Sequence, residues 1–345
     1  MSKLKVRGII TVLVLGITIF LTACSGATPK SADTSTGDAK ATGKILLYTS
    51  QPDQDAQALV DAFTKKYSGT TVEIFRSGTE EVISKLMAEE QAGAVQADVL
   101  LVADAVTFER LKEQGLLLSY KSPELTKIPK EYVDENGMYT GTKIISTALV
   151  INTKNASTMP DSWKVLTAKE SKGQSIMPSP LYSGAAAYNV GVLTRQKDFG
   201  WDYYKALKDN DITVTKGNGS VLKTVAAGEK TYGMIVDYMA ARAKKEGSPV
   251  ELVYPKEGVP AITEPVGIVK GTKNEATAKA FVDFVLSEEG QQLAVEMGYT
   301  PIREGVNAPE GLKSVKEMKV ITADIQELYK ARDEDKKQFE GIFGQ

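Results

Sequence analysis

From residue 45 onward the chain alternates short apolar runs with segments whose apolar residues recur every three to four positions, the two periods that mark strands and helices. Residues 45–49 read as a strand, and residues 55–67 carry Ala56, Leu59, Val60 and Phe63 along one helical face. A strand at 71–75, a helix at 79–91, a continuous apolar strand at 97–102 and a helix at 105–114 complete a βαβαβα series. An extended crossing segment at 143–152 leads into a second series, with helices at 185–195, 201–209 and 220–227 and strands at 212–215, 231–236 and 250–253. The chain then returns through an apolar strand at 261–269 to two helices within 275–297 and a polar helical tail. No repeat of fixed period runs through it. Alternation of this kind predicts an α/β fold built as two mixed lobes, with a ligand cleft between them.

The amino-terminal residues follow a different pattern. Lys3, Lys5 and Arg7 precede an apolar run at 8–21, which at about 14 residues is shorter than the ~20 a spanning helix needs. Leu21-Thr22-Ala23-Cys24 closes the run with small residues and the single cysteine of the chain. The arrangement resembles a bacterial lipoprotein signal, which implies cleavage of residues 1–23 and lipidation of Cys24. Residues 24–43 then read as the lipidated cysteine and a flexible tether of Ser, Thr, Ala, Gly, Asp and Lys. Two or three acyl chains would hold the protein at a membrane, on the outer face of the cell membrane or on its periplasmic face if the source has an outer membrane.

Composition narrows the function classes. Removing three positive charges with residues 1–23 takes a chain of net charge −2 to −5, and its 42 Lys and Arg are interleaved with 44 Asp and Glu, so nucleic acid is not an expected partner. With no histidine and a cysteine destined for acylation, no Ser-His-Asp or Cys-His nucleophile can be assembled. A phosphate-binding G-x-x-x-x-G-K-[ST] loop is absent, and "GNGSVLKT" departs from the dinucleotide fingerprint at its last glycine. We therefore expect no enzyme and no cofactor. A carboxylate-based enzyme or a surface adhesin on the same fold remains a distant alternative.

Four stretches, "LLYTSQPDQDAQALVDAF", "ADVLLVADAVTFERLKEQGLL", "YGMIVDYMAARAKKEG" and "VKGTKNEATAKAFVDFVLSEEGQQLA", occur in order. Together they resemble family 1 of the extracellular solute-binding proteins of bacterial ABC importers, in the subgroup that holds ferric-ion, thiamine, phosphonate and hexose-phosphate binders. The resemblance covers most of residues 44–305. It implies a type II periplasmic-binding-protein fold, two lobes joined by crossing hinge strands. Lobe I would take residues 44–142 with about 258–300, lobe II about 143–257, and the helices of 301–345 would pack back on both. It further implies a monomer that captures a small ligand by hinge closure and delivers it to a permease and its ATPase.

The same resemblance sets expectations for the site. Of the ferric ligands, the histidine position falls at Gln51 or Pro52, the glutamate at Ala103 and the first of two tyrosines at Asp237, leaving only Tyr238, so no metal is expected. The anion-holding turn of the family matches Ser183-Gly184-Ala185, with Asn218 opening another helix. A helix start offers unpaired N–H groups and about half a positive charge to an oxyanion. Ser77-Gly78-Thr79 is a third such turn, where Ser77 could equally be a cap in capping-box spacing with Glu80. Tyr48, Thr49 and Ser50 lie at the carboxyl edge of the first strand, where open α/β sheets place ligands. Asp237, Glu264 and Asp104 are candidate partners for a ligand amine or sugar hydroxyls, although Asp104 and Asp237 could each cap the following helix. The expected ligand is a small organic phosphate or phosphonate such as a hexose phosphate or aminoethylphosphonate, with ferric iron or thiamine as the alternative.

Overall fold

Two long strands run the length of the molecule and everything else is arranged on them. The computed structural model describes residues 41–344, so the signal segment, Cys24 and most of the tether lie outside the described residues. The order is β1 (Gly43–Thr49), α1 (Asp53–Lys66), β2 (Thr70–Arg76), α2 (Thr79–Gln91), β3 (Val99–Leu101), α3 (Ala105–Glu113), β4 (Leu117–Leu118) and β5 (Thr140–Asn152). Next come β6 (Ser175–Pro178), α4 (Gly184–Thr194), α5 (Gly200–Asp209), β7 (Thr213–Thr215), α6 (Asn218–Ala226), β8 (Tyr232–Val236), α7 (Asp237–Lys245) and β9 (Val250–Val253). The chain ends with β10 (Val259–Val269), α8 (Glu275–Leu286), α9 (Glu288–Glu296), β11 (Thr300–Pro301), β12 (Val320–Ile321) and α10 (Ile325–Phe343).

Strands follow the order β2-β1-β3-β10-β5-β8-β6-β7, with β4 and β12 added to β10 and with β9 and β11 added to β5. In the first lobe β1 pairs in parallel with β2 and β3, and in the second β6 pairs in parallel with β7 and β8. The long strands β5 and β10 are antiparallel to each other and cross between the lobes. Residues 140–146 of β5 pair with β10 and β11, while residues 147–152 pair with β8 and β9. Every residue of β5 is buried, and its polar members Thr140, Thr142, Lys143, Ser146, Thr147 and Asn152 are buried along with the apolar ones.

Each lobe has its own apolar core. Phe63, Phe281 and Phe284 pack edge to face beneath the first sheet, on a core that includes Ile45, Leu47 and Val99. In the second lobe Trp163, Tyr204, Leu149, Val221 and Ile235 form the centre. Trp163 is fully buried with its ring N–H donated to the Gly258 carbonyl, and Trp201 packs on Tyr204, so both tryptophans belong to packing.

Three expectations need correction. The tether ends before residue 43: Ala41 is buried, the Thr42 carbonyl accepts the Thr277 hydroxyl at 2.7 Å, and Gly43 already pairs with Thr70. The strand expected at 97–102 is only Val99–Leu101, although Asp98 still bonds to Leu46 and Val269 on either side. The tail contains one α-helix, α10, preceded by an irregular segment, and that helix packs against α3, α4 and α5.

Candidate functional site

Each lobe brings the carboxyl ends of its parallel strands to a common seam, which encloses a cavity of about 310 Å³. That volume suits a small metabolite. From the first lobe come Ser50 after β1, Arg76 at the end of β2, Gly78 and Thr79 at the start of α2, and Ala103 after β3. Residues 182–185 at the start of α4, residues 216–220 at the start of α6, and Val236 and Tyr238 after β8 come from the second. Three helix N-termini therefore open into one cavity, each placed there by a strand that ends just before it.

The local hydrogen bonds leave donors over. Ser183 caps α4 by accepting the Ala186 amide on its hydroxyl at 3.3 Å, and the Ala187 amide returns to the Ser183 carbonyl at 2.9 Å. Around α6 the Ser220 and Val221 amides return to the Gly217 carbonyl. The amides of Gly184, Ala185, Asn218 and Gly219 have no acceptor among the described residues. Asn218 is not the cap of α6; that place is held by Gly217. Its side chain bridges the lobe instead, donating to the Ser183 hydroxyl at 3.3 Å and accepting the Val236 amide at 3.2 Å. Arg76 adds a guanidinium to this side of the cleft, steadied by its Nε–H bond to the Gln51 carbonyl at 2.8 Å. Lys216 lies 4.4 Å from the centre of the Tyr182 ring and pairs with Glu81 at 2.9 Å.

The lobes touch across the seam. The Glu80 amide donates to the Tyr182 carbonyl at 3.3 Å. A side chain at Gly184 would place its Cβ 2.5 Å from the Ala103 carbonyl oxygen and 2.9 Å from the Thr79 hydroxyl, and one at Gly78 would meet the Tyr182 ring at 2.6 Å. Glycine at these two places permits the close approach.

The acidic candidates are arranged differently. Glu264 lines the cavity because the β5–β10 register shifts between Thr263 and Pro265, and such a bulge re-aims a side chain. Its carboxylate is already engaged, paired with buried Lys143 and accepting the Gln51 side-chain amide at 2.9 Å. Asp237 does not line the cavity. It is 2 % exposed and accepts the Ser146 amide at 3.2 Å, the Tyr238 amide at 2.8 Å and the Tyr254 hydroxyl at 3.0 Å. Burial pushes its carboxyl up to about 6, against the lowering effect of those hydrogen bonds. The expected contact of Asp237 with a ligand amine is thus corrected: the side chain turns back to the hinge strand.

Three further expectations are corrected in the same way, and for Asp104 the ligand contact gives way to the alternative of a helix cap. Asp104 is fully buried, caps α3 through the Thr107 amide at 2.9 Å, and pairs with Arg332 of α10 at 2.9 Å. Tyr48 points into the first lobe and donates to Glu89 at 2.6 Å, with burial and then Glu89 raising its phenol to about 12. Thr49 is fully buried and donates to the Leu101 carbonyl at 2.8 Å, at an end of β1 where both faces are covered. Ser77 forms neither a capping box nor a cavity wall; its hydroxyl donates to Glu81, and Gly78 is the cap of α2. Ser50, Gly78, Thr79, Ser183, Gly184, Ala185, Asn218, Tyr238 and Glu264 all line the cavity. Among the described residues no group of three or more His, Cys, Asp or Glu gathers as a metal site.

A family model described as bacterial extracellular solute-binding protein matches residues 58–320. The chain belongs to that family. Its members in the same subgroup include the Fe(3+)-binding periplasmic protein of Serratia marcescens, 26 % identical over 79 % of this chain and 82 % of that one. The putative 2-aminoethylphosphonate-binding periplasmic protein of Salmonella typhimurium is 28 % identical over 72 % of this chain and 74 % of its own length. Among solved structures, the periplasmic binding protein AfuA of Actinobacillus pleuropneumoniae with exogenous fructose-6-phosphate bound superimposes with a TM-score of 0.78 at 27 % identity, covering 87 % of this chain and 97 % of that one. This solute-binding protein is accordingly an exported component of an ABC importer, with a small-molecule ligand and a permease partner, and its fold is the type II two-lobed architecture.

Sequence reasoning passed over Asp53, Lys143 and Lys216. Asp53 and Lys216 line the cavity of this solute-binding protein, and Lys143 stands behind Glu264. Lys143, which directly precedes Ile144 and Ile145, was the readable signal, because a lysine inside a buried strand requires a carboxylate partner.

Proposed function

We propose that this solute-binding protein captures a small organic phosphate or phosphonate, and that the organic part is hydroxylated and uncharged. The convergence of three helix N-termini, with open amides at the starts of α4 and α6, supports the anion half of this reading, since such ends combine free N–H donors with a partial positive charge. Engagement of Glu264 by Lys143 and withdrawal of Asp237 support the uncharged half, because neither carboxylate is left to balance an amine or a trivalent metal. A hexose phosphate fits both conditions; aminoethylphosphonate fits the first, with exposed Asp53 at the rim as its one carboxylate not already paired.

In this reading the protein is a monomer anchored through lipid on Cys24, outside the described residues, and the lobes close because the ligand joins the α4 and α6 turns of one lobe to the α2 turn of the other. Isothermal titration with fructose 6-phosphate, 2-aminoethylphosphonate and ferric citrate tests it. Tightest binding of the sugar phosphate is expected. Tight ferric binding with indifference to all phosphorylated compounds would overturn the proposal. Mass spectrometry of radiolabelled or intact lipid-bearing protein from its own host tests the anchor, which requires diacylglycerol on Cys24.

A further inference from the structure

We infer that Arg332, on the last helix of the chain, is a positioning residue that clasps the two lobes and sets how far the cleft stands open. The inference rests on closure of the cleft but not on which ligand fills it. Helix α10 belongs with the second lobe: Leu328, Phe339 and Phe343 are buried in that core, with Phe339 against Tyr204. It is tied to α4 by Arg195, which pairs with Asp335 at 2.9 Å and with Glu327 at 2.9 Å. Leu328 rests directly on Gly191 of the same helix.

From that anchored position α10 reaches across the seam. The Arg332 guanidinium pairs with Asp104 at 2.9 Å through one nitrogen and with Glu80 at 2.9 Å through the other, and Lys336 joins Glu80 as well. Both carboxylates sit behind cleft walls. Glu80 is in the first turn of α2, directly after Gly78 and Thr79, and Asp104 directly follows Ala103. Burial alone would raise Glu80, yet Arg332 and Lys336 hold its carboxyl below the ordinary value. A single side chain thus holds, from the second lobe, the two first-lobe segments against which Gly184 of the α4 turn is seated.

Opening the lobes must separate α3 from α4, and α10 can follow only one of them. Its apolar face and Arg195 keep it with α4, so the Arg332 bonds break, together with those of Lys336 to Glu80, Gln326 to Glu109 and Asp333 to Arg110. Fully buried Asp104 then loses its cation, and a buried carboxylate without a partner is costly. Arg332 therefore biases the ligand-free protein toward the closed arrangement and holds the first-lobe side of the anion cradle in register. A lysine at this position would lack the planar guanidinium fork that meets the two carboxylates through separate nitrogens.

Hydrogen exchange of the ligand-free full chain tests the clasp at the Glu80 amide, whose acceptor is the Tyr182 carbonyl across the seam. In Arg332→Gln that amide is expected to exchange about tenfold faster, the order of effect of losing a charged hydrogen bond, while amides of β1 and β8 keep their rates. Arg332→Lys should fall between. Equal exchange at Glu80 in the variant and the natural protein, or a uniform rise through both sheets, would overturn the inference. If Arg332→Gln fails to fold, Glu80→Gln is read in the same way, since it removes one arm and leaves the Asp104 pair. Faster exchange there, corrected for the intrinsic rate of the new side chain, supports the clasp, and an unchanged rate overturns it.

Discussion

The two sides of the cleft treat polarity in opposite ways. On the helix-terminus side, at Ser183-Gly184-Ala185 and Gly217-Asn218-Gly219, backbone donors are left open toward the cavity. On the hinge side, at Glu264 and Asp237, the charges are satisfied from within by Lys143, Gln51, Ser146 and Tyr254. The difference teaches that a polar residue near a cleft is informative only when its partners are counted. Open groups there should govern affinity, and engaged ones should govern stability and its dependence on pH.

The comparison can be broken most severely at Lys143. Lys143→Met leaves Glu264 buried without its cation and should cost about 3–5 kcal/mol of stability. Urea denaturation measures it, and an unchanged midpoint would show that the pair is not holding the hinge together.

Next in size is Asp237→Asn. The folded-state value near 6 lies above the ordinary 3.8, so the folded chain binds the proton more tightly than the unfolded one. That contribution is complete below about pH 4 and is lost as pH rises through 6. At pH 8 the asparagine variant should therefore be more stable than the natural protein by roughly 2–3 kcal/mol, the two converging below pH 4. Denaturation curves across this range decide, and a constant gap would remove the buried-carboxyl argument. Affinity for a phosphate ester should hardly change.

On the open side, Gly184→Ala forces a methyl against the Ala103 carbonyl only when the lobes are closed. Affinity for fructose 6-phosphate should fall about thirtyfold, in line with the 1–3 kcal/mol of overpacking, while the melting temperature stays near that of the natural protein. A large loss of stability with intact binding would reverse the roles assigned to the two sides. The smallest effect is expected from Ser183→Gly. Glycine preserves the helix cap to within a few tenths of a kcal/mol, so a five- to tenfold loss of affinity would report the hydroxyl alone. Titration calorimetry checks both.

Much of the architecture was legible because strand and helix periods are local. Ile45, Leu47, Leu59 and Phe63 reveal their faces from spacing alone, and the starts of α2, α4 and α6 are readable near Ser77-Gly78-Thr79, Ser183-Gly184-Ala185 and Asn218, although Gly78 and Gly217 hold the cap positions of α2 and α6. The strand Ser175–Pro178 escaped, since four residues buried throughout show no alternation and end in a proline. Tyr48, Thr49, Asp104 and Asp237 stand at strand ends beside the cleft, yet which way each side chain turns depends on groups far off in sequence. For Asp104 the deciding group is Arg332, 228 residues away.

The amino-acid sequence by itself determined the alternating α/β elements, the family and the turns that open helices onto the seam, because each of these is written within a few residues of itself. Only the tertiary structure decided which charges remain available to a ligand. A carboxylate is satisfied by whatever cation or donor the fold brings within about 3 Å, and for Glu264, Asp237 and Asp104 the deciding groups Lys143, Tyr254 and Arg332 lie on other segments of the chain, Arg332 in the opposite lobe.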